Sequence, residues 1–488
     1  MKNKVQLITY VDRLTLGTFA DLKKMIDGPF KGLFGTVHAL PFFDPYDGAD
    51  AGFDPKDHTI VDPRLGSWDD VRELAKSVDV MADLIVNHVS ADGKAFQDFI
   101  ARGAASDYAD MFLTFASVFP DGATEDDLTS IYRPRPGLPF TQMTMKDGSR
   151  HLIWTTFTPK QIDINVHSEK GEAYLDSILT RFSEAGIRCI RLDAAGYAIK
   201  KPGTSCFMIP ETYDFLAQLT NKAKARGMEV LVEIHSYYQD QIEISKKVDR
   251  VYDFALPPLI MHALFTADAE PLARWLQVSP RNALTVLDTH DGIGVIDVGA
   301  HSDGRPGLLE PDAIHNLVES MHERTNGTSR LATGARASNL DLYQVNSTYF
   351  DAIGRRENEY LIARALQFFA PGIPQIYYIG LLGAENDMAL LEKTDVGRDI
   401  NRHYYKKGEV EAALKTPMVA ALTDLIRFRN DHPAFGGTFS LGQPARSRIE
   451  LSWKAEGQWA KLSVDFDKME AAISHTADDG VTSFRVEA

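Results

Sequence analysis

Cysteine is scarce in this sequence, with two residues among 488. Cys189 and Cys206 can form at most one disulfide, so a chain of this length cannot depend on a disulfide framework for its stability. Cys189 also lies within an apolar, strand-like run. We therefore expect two reduced interior thiols and a cytoplasmic location.

Long apolar runs are also missing. No stretch approaches the roughly 20 consecutive apolar residues that a membrane-spanning helix needs. The opening residues, MKNKVQLITY, contain neither the continuous apolar segment nor the small-residue cleavage site of a secretory signal. The sequence therefore predicts no membrane partner.

Positive charge is in deficit, because 52 Lys and Arg face 68 Asp and Glu, which gives a net charge of −16. A field of this sign repels nucleic acid and anionic membranes, so we expect no nucleic-acid partner. It also repels anionic substrates. Any phosphate that this protein handles must therefore be held by locally placed arginines.

Short apolar runs alternate with amphipathic helical stretches along most of the chain, a pattern typical of α/β proteins. We predict strands at residues 5–10, 35–42, 80–87, 187–193, 229–235, 250–255, 283–290 and 374–379. Helices are expected at 18–26, 68–76, 171–185, 210–226, 239–247, 259–267, 359–369 and 417–430. Eight strands in this arrangement predict a (β/α)8 TIM barrel.

Two long insertions interrupt the alternation. The first contains the Pro- and Gly-rich sequence RPRPGLP at 133–139, which is typical of a loop. The second contains a Ser-, Gly- and Asn-rich segment at 334–339, whose composition suits a mobile loop. Short alternating runs after residue 433 predict antiparallel strands. We expect barrel parts at 1–88, 171–291 and 356–435, inserted subdomains B at 89–170 and B′ with an acceptor loop at 292–355, and a C-terminal β domain at 436–488.

Acidic residues stand at the ends of three predicted strands. Asp193 closes the fourth, Glu233 closes the fifth and Asp291 follows the seventh. Barrel enzymes place their chemistry at these ends, and two carboxyl groups on neighbouring strands suit retaining cleavage of a glycosidic bond. Arg191 shares a strand face with Asp193 and is expected to keep it ionised. Glu233 lies in an apolar run without an adjacent cation, which favours its protonated form.

Four motifs in this order, DLIVNH at 83–88, IRLD at 190–193, Glu233 and THD at 289–291, resemble those of the α-amylase superfamily, glycoside hydrolase family 13. The resemblance implies that Asp193 is the nucleophile, Glu233 the general acid/base and Asp291 the transition-state stabiliser. It also implies three sugar-binding neighbours, which are His88, Arg191 and His290.

Longer segments resemble the sucrose phosphorylase family, including 40–54 (LPFFDPYDGADAGFD), 131–140 (IYRPRPGLPF), 203–207, 233–238, 250–259, 287–299, 337–349 and 397–405 (GRDINRHYY). This resemblance implies sucrose and inorganic phosphate as substrates, and α-D-glucose 1-phosphate and fructose as products. The implied mechanism is double displacement through a covalent β-glucosyl-enzyme, with transglucosylation to other acceptors.

The same resemblance implies further site residues. Asp50 and Arg398 would grip the distal hydroxyls of glucose, and further substrate-binding residues would be Phe53, Phe157, Tyr197 and Gln344. Contacts to phosphate or fructose are implied for Arg135, Asp341, Leu342 and Tyr343.

Superfamily amylases often bind calcium near the equivalent of Asn87, but the insertion contains no EF-hand-like loop or tight acidic cluster. We expect no metal and no cofactor, and a homodimer. Four alternatives stay open: a sucrose 6′-phosphate phosphorylase, a glucosylglycerol or glucosylglycerate phosphorylase, a sucrose hydrolase, and a barrel that binds without catalysis. The presence of all three carboxylates argues against the last.

Overall fold

The computed structural model describes residues 1–488 except 16, 46–50, 134, 302, 334–343, 407 and 478–479. Eight parallel strands close into a barrel in chain order, and the eighth pairs with the first. They are Gln6–Thr9, Thr36–Ala39, Asp79–Ile85, Cys189–Asp193, Glu229–Val232, Arg250–Asp253, Ala283–Thr285 and Ile373–Tyr377. The predicted (β/α)8 TIM barrel is thus confirmed.

All eight predicted strands are present, but several end earlier than the sequence suggested. The fifth ends at Val232 and the seventh at Thr285. Beyond these points the backbone leaves the ladder, so Glu233 and Asp291 lie in the loops that follow the strands. The apolar runs nevertheless continue through these loops, because Ile234, Val286 and Leu287 are also buried.

The longer α-helices are Phe19–Asp27, Trp68–Ala75, Lys94–Arg102, Glu169–Glu184, Pro210–Ala225, Tyr238–Ser245, Leu256–Thr266, Glu270–Val278, Pro311–Arg324, Glu357–Phe369 and Pro417–Asp431. Shorter ones are Val11–Thr15, Phe115–Val118, Glu125–Ser130, Thr328–Leu331, Tyr349–Ala352, Tyr378–Leu381, Met388–Thr394 and Glu409–Ala413. Proline occupies the first turn of several helices, where its missing N–H costs nothing. Lys94–Arg102, Glu270–Val278 and Pro311–Arg324 were not predicted. In the described residues, no helix has the length and apolar character that crossing a membrane requires.

Each of the two long insertions contains short antiparallel pairs in addition to its helices. In the first, His88–Ser90 pairs with Gln161–Asp163, and Phe140–Thr144 pairs with Arg150–Trp154. In the second, Ile293–Gly294 pairs with Gln344–Val345. A further pair, Phe43–Pro45 with Pro55–Val61, follows the second barrel strand. The domain boundaries drawn from the sequence stay predictions.

An antiparallel five-stranded sheet forms the C-terminal part, as the alternating runs predicted. Its strands are Thr438–Leu441, Arg448–Ala455, Gln458–Asp465, Glu470–Ala477 and Gly480–Arg485. Ile449, Leu451 and Trp453 alternate along one strand and are buried. The indole of Trp453 donates a 2.8 Å hydrogen bond to the carbonyl of Phe369, which ends a barrel helix. This sheet is therefore packed against the barrel.

Candidate active site

A pocket opens where the fourth, fifth and seventh barrel strands end, and it collects the three predicted carboxyl residues Asp193, Glu233 and Asp291. Other predicted residues in its wall are Phe53, His88, Arg135, Phe157, Tyr197, His290, Gln344 and Arg398. Six further lining residues were not predicted: Gln161, Ala194, Gly196, Phe207, Ile234 and His235. Asp50, Asp341, Leu342 and Tyr343 lie outside the described residues.

Arg191 lies beneath this pocket and is almost fully buried. Its Nη1 lies 3.0 Å from Asp193 Oδ1 and also pairs with Asp83, while Nη2 pairs with Glu233. The expectation that Glu233 has no adjacent cation is therefore wrong. A guanidinium is a planar fork, so one arginine on the fourth strand reaches carboxylates on both neighbouring strands.

Asp83 completes the arrangement from the third strand. Its carboxylate contacts Arg191 on one side and lies 2.9 Å from His38 Nε2 on the other. Burial opposes ionisation of Asp83, but His38 and Arg191 together lower its pKa to about 2. Asp83 is therefore a carboxylate at neutral pH, and it anchors the Arg191 guanidinium.

The pKa of Asp193 shifts in the direction opposite to the expectation. Burial raises the pKa of Asp193 well above its usual range, Arg191 opposes this rise, and Glu233 and Asp83 add to it. Burial therefore outweighs the attraction of Arg191 in setting the pKa of Asp193, because the single charge of Arg191 is divided among three carboxylates.

Asp291 has the opposite environment. Burial opposes its ionisation, but the guanidinium groups of Arg398, with Nη1 2.8 Å from Oδ1, and Arg402 hold the pKa of Asp291 well below its usual range. Asp291 is therefore a stable carboxylate in the wall of the pocket.

His290 is neutral, because burial lowers its pKa well below the ordinary value. Its ring stacks on Phe53 with centroids 4.8 Å apart. Arg402 Nε donates a 2.9 Å hydrogen bond to the carbonyl of His290, which fixes the backbone beside Asp291. A neutral, fixed imidazole suits hydrogen bonding to an uncharged hydroxyl group.

Aromatic rings form one side of the pocket. Tyr197 meets Phe157 at 5.1 Å and Phe207 at 4.7 Å between centroids, and Tyr132 meets Phe207 at 4.7 Å. A Cβ atom on Gly196 would lie 2.6 Å from the Phe207 ring, so glycine permits this close packing. Sequence reasoning missed Tyr132 and Phe207 as single residues, although both lie in the family-like segments 131–140 and 203–207.

His235 and Asp297 form a histidine–carboxylate pair at the same pocket, which sequence reasoning also missed. His235 Nδ1 lies 3.1 Å from Asp297 Oδ2, and the imidazole stacks on Phe254 with centroids 3.8 Å apart. Burial alone would lower the pKa of His235, but Asp297, with help from Glu233 and Asp291, raises it. A cation-favouring imidazole therefore faces the carboxylates.

Gln344 and Arg398 lie together in the wall, with Arg398 Nη2 donating to Gln344 Oε1 at 3.4 Å. Arg398 also pairs with Asp291. The predicted pairing of Arg398 with Asp50 falls outside the described residues.

A buried lysine occupies the place where the superfamily resemblance puts calcium. Lys200 Nζ donates to Asn87 Oδ1 at 2.7 Å, lies 2.8 Å from Asp163 Oδ2 and also contacts the carbonyl of Tyr197. Its side chain is 2% exposed. These three oxygens are ligands of the kind that calcium prefers, and here they surround an ammonium group.

Metal-ligating groups also come together in the pocket itself. Within the part of the chain that the structure describes, one group has its ligand atoms within 4.8 Å of one another, namely Glu233, His235 and Asp291. Two of them already pair with guanidinium groups, Glu233 with Arg191 and Asp291 with Arg398. We therefore interpret this group as part of a sugar site.

The barrel with carboxylates at the ends of strands four, five and seven defines a glycoside-processing enzyme of the α-amylase superfamily. The catalytic-domain model of α-amylase matches residues 34–266. The chain is 68% identical to a sucrose phosphorylase from Agrobacterium vitis over 474 residues, covering 97% of both proteins. It is 54% identical to a sucrose phosphorylase from Bifidobacterium adolescentis over 467 residues, covering 95% of this chain and 92% of the relative.

The crystal structure of a sucrose 6F-phosphate phosphorylase from Thermoanaerobacter thermosaccharolyticum matches with a TM-score of 0.92 and 36% identity, covering 100% of this chain and 98% of that one. The chain belongs to the sucrose phosphorylase family and is an enzyme of glycosyltransferase type.

Proposed function

We propose that this enzyme catalyses the retaining phosphorolysis of sucrose to α-D-glucose 1-phosphate and fructose. The observation that carries the proposal is the 68% identity to a sucrose phosphorylase over nearly the whole chain. Identity to the structurally similar sucrose 6F-phosphate phosphorylase is 36%. The clustering of Asp193, Glu233 and Asp291 in one pocket supports the same chemistry.

In the first half-reaction, a carboxylate oxygen of Asp193 attacks the anomeric carbon of the glucosyl unit. The bond from this carbon to the fructosyl oxygen breaks, and the Glu233 carboxyl group gives its proton to that oxygen. Fructose leaves, and a β-glucosyl ester remains on Asp193. This mechanism requires Asp193 to be ionised and Glu233 to carry the proton when sucrose is bound.

In the second half-reaction, inorganic phosphate occupies the space that fructose has left. Glu233, now a carboxylate, accepts a proton from phosphate while a phosphate oxygen attacks the anomeric carbon and the ester bond to Asp193 breaks. Two successive inversions give the α configuration of the product and restore the starting protonation.

The remaining residues are assigned supporting roles in this proposal. Asp291 stabilises the positive charge that develops on the sugar ring, since its own pKa keeps it ionised. Sugar contacts are assigned to Asp50, Phe53, His88, Phe157, Arg191, Tyr197, His290, Gln344 and Arg398. Phosphate and fructose contacts are assigned to Arg135, Asp341, Leu342 and Tyr343.

Three wider features belong to the proposal as well. A covalent glucosyl intermediate would also transfer glucose to other hydroxyl groups, which makes transglucosylation a side reaction. The two cysteines are buried and unbridged, in support of a cytoplasmic, reducing location. A homodimer is proposed by family resemblance, and the mass in solution, measured by light scattering, tests it.

The decisive experiment incubates the purified protein with sucrose, with and without phosphate, and quantifies glucose 1-phosphate, its anomer, glucose and fructose. Abundant α-glucose 1-phosphate supports the proposal. Equal release of glucose in both conditions would identify a hydrolase. Parallel reactions with sucrose 6′-phosphate, glucosylglycerol and glucosylglycerate test the other phosphorylases, and turnover of none of these compounds would point to a binding barrel.

A further inference from the structure

Phosphate has to enter a pocket that already contains three carboxyl groups in a protein of net charge −16. Two of the nearby guanidinium groups are engaged with those carboxyl groups, because Arg191 pairs with Asp193 and Glu233 and Arg398 pairs with Asp291. A second cationic group in addition to Arg135 would therefore stabilise a bound phosphate dianion. His235 lines the same pocket and is the candidate for this role.

Asp297 controls the orientation of the His235 ring. The Asp297 carboxylate is fully buried, and its Oδ1 accepts hydrogen bonds from the Ser236 backbone N–H at 3.1 Å and from Gln241 Nε2 at 2.7 Å. With Oδ1 satisfied in this way, Oδ2 faces His235 Nδ1 at 3.1 Å. A carboxylate held on both sides cannot turn away, so it fixes which ring nitrogen points into the pocket.

Contacts with Phe254 and the Gly294 loop reinforce this orientation. Phe254 stacks on one face of the imidazole at an interplanar angle of 15°. A Cβ atom on Gly294 would lie 3.5 Å from the ring and 3.1 Å from Asp297 Oδ2, so glycine allows the loop to approach both groups. Gly294 itself pairs with Gln344, another residue of the pocket wall. The segment that carries Asp297 is thus tied to the predicted acceptor side.

We propose that Asp297 is a positioning residue, which holds His235 as an imidazolium with its Nε2–H directed at an oxygen of the entering phosphate. This inference rests on the proposed function and deepens it, since it concerns the half-reaction with phosphate alone. The charged groups that face His235 are Asp297, Glu233 and Asp291, all of which favour the cation, whereas burial disfavours it. Loss of the Asp297 charge therefore weakens phosphate binding and leaves formation of the glucosyl-enzyme in place.

The test measures steady-state kinetics of Asp297→Asn at saturating sucrose with phosphate varied, from pH 5.5 to 8.5. We expect the KM for phosphate at neutral pH to rise by about tenfold or more, and phosphate-free sucrose hydrolysis to change by less than about threefold. We also expect the rise in phosphate KM with increasing pH to begin at a lower pH than in the wild type. The ionisation of phosphate itself affects both proteins equally.

A matched control comes from an exposed pair of the same type in the same insertion. Asp303 lies 2.8 Å from His301 Nδ1 and is half exposed, so Asp303→Asn should leave both reactions unchanged. The variant His235→Gln should raise the phosphate KM as Asp297→Asn does, and the double variant should show no additional effect. Fully additive effects would mean that Asp297 does not act through His235.

Each outcome bears on a different claim. If Asp297→Asn does not fold, His235→Gln still tests the inference, because an unchanged phosphate KM in that variant would overturn it. An equal loss of phosphorolysis and hydrolysis in a folded Asp297→Asn would reduce Asp297 to a structural role. If the wild-type protein shows no phosphorolysis, the proposed function itself is overturned. The phosphate-free hydrolysis of sucrose is measured separately, so this outcome is distinguishable from failure of the inference about Asp297.

Discussion

Arg191 divides one positive charge among Asp83, Asp193 and Glu233. A lysine at this position keeps the charge but is a point cation without the planar fork, so it cannot pair with carboxylates on two sides. We predict that Arg191→Lys lowers kcat by at least about a hundredfold. The exposed Arg188, on the approach to the same strand, offers the control Arg188→Lys, which should keep wild-type kcat. Near-normal kcat in Arg191→Lys would show that the fork is dispensable.

The nucleophile assignment gives a second prediction at this scale. Asp193→Asn preserves the size of the side chain but removes the attacking oxygen anion, so kcat should fall by at least about a thousandfold. Mass spectrometry of the wild-type protein quenched during turnover should detect a glucosyl adduct, and the variant should show none. Asp176→Asn, at a half-exposed position of a barrel helix away from the pocket, serves as the control. A glucosyl adduct in Asp193→Asn would move the nucleophile elsewhere.

Asp253, at the end of the sixth strand, makes a prediction about stability. Burial raises the pKa of Asp253 to about 7. Because the folded pKa is above that of the unfolded chain, the group stabilises the fold below about pH 4, and this contribution declines as pH rises to about 7, by about 4 kcal/mol in all.

Asp253→Asn does not titrate, so urea unfolding at pH 4 to 8 should show the wild type losing stability relative to this variant as pH rises. The exposed Asp424→Asn should follow the wild type across the same range. Parallel curves for Asp253→Asn and the wild type would contradict the raised pKa.

The sequence located the three carboxylates because strand ends can be read from local apolar runs. It did not reveal the contacts that set their protonation, since these join distant parts of the chain. Arg191 and Asp83 are 108 residues apart, and His235 and Asp297 are 62 apart. Only closure of the barrel and folding of the insertion bring such pairs together, so the expectation about Glu233 failed for lack of long-range information.

At the scale of elements, Lys200 joins three segments: the loop after the third barrel strand, the short strand Gln161–Asp163 and the turn Ala195–Tyr197. Lys200→Met would leave Asp163 buried and uncompensated. We predict a loss of about 3–5 kcal/mol in the free energy of unfolding, measured by urea titration.

The adjacent Lys201 provides the matched control, because its side chain is 54% exposed and pairs with Glu211 at the surface. Lys201→Met should cost less than about 1 kcal/mol. Equal losses in the two variants would contradict the tethering role of Lys200.

Helices were predicted unevenly, for a physical reason. Amphipathic helices such as Trp68–Ala75 and Glu169–Glu184 reveal themselves by spaced apolar residues. Glu270–Val278 follows another helix after a few residues, so it breaks the regular alternation on which the prediction relied. Pro311–Arg324 lies inside an insertion for which no helix was predicted.

For the whole molecule, the C-terminal sheet is continuous with the barrel's packing. Trp453 and Phe435 have ring centroids 6.1 Å apart, and Phe428 meets Phe484 at 5.6 Å. Removing residues 438–488 would expose the buried rings of Phe369 and Phe435 to water. We predict that the truncated chain accumulates as aggregate, as measured by the soluble fraction and light scattering.

The point variant Trp453→Ala is the milder companion and should lower the free energy of unfolding by about 3–5 kcal/mol. Lys454→Ala, exposed on the same strand, should be close to neutral. A soluble, active truncated chain would show that the barrel is stable without its sheet.

The buried ammonium of Lys200 has a consequence for the solutions in which this enzyme can work. Calcium phosphate is sparingly soluble, so a protein that depended on a dissociable calcium ion would compete for it with the very anion proposed here as co-substrate. A cation that is covalently part of the chain neither precipitates nor exchanges, and no chelator can extract it. On the proposed function, the concentration of phosphate can then rise to drive the reaction without removing the cation from this position.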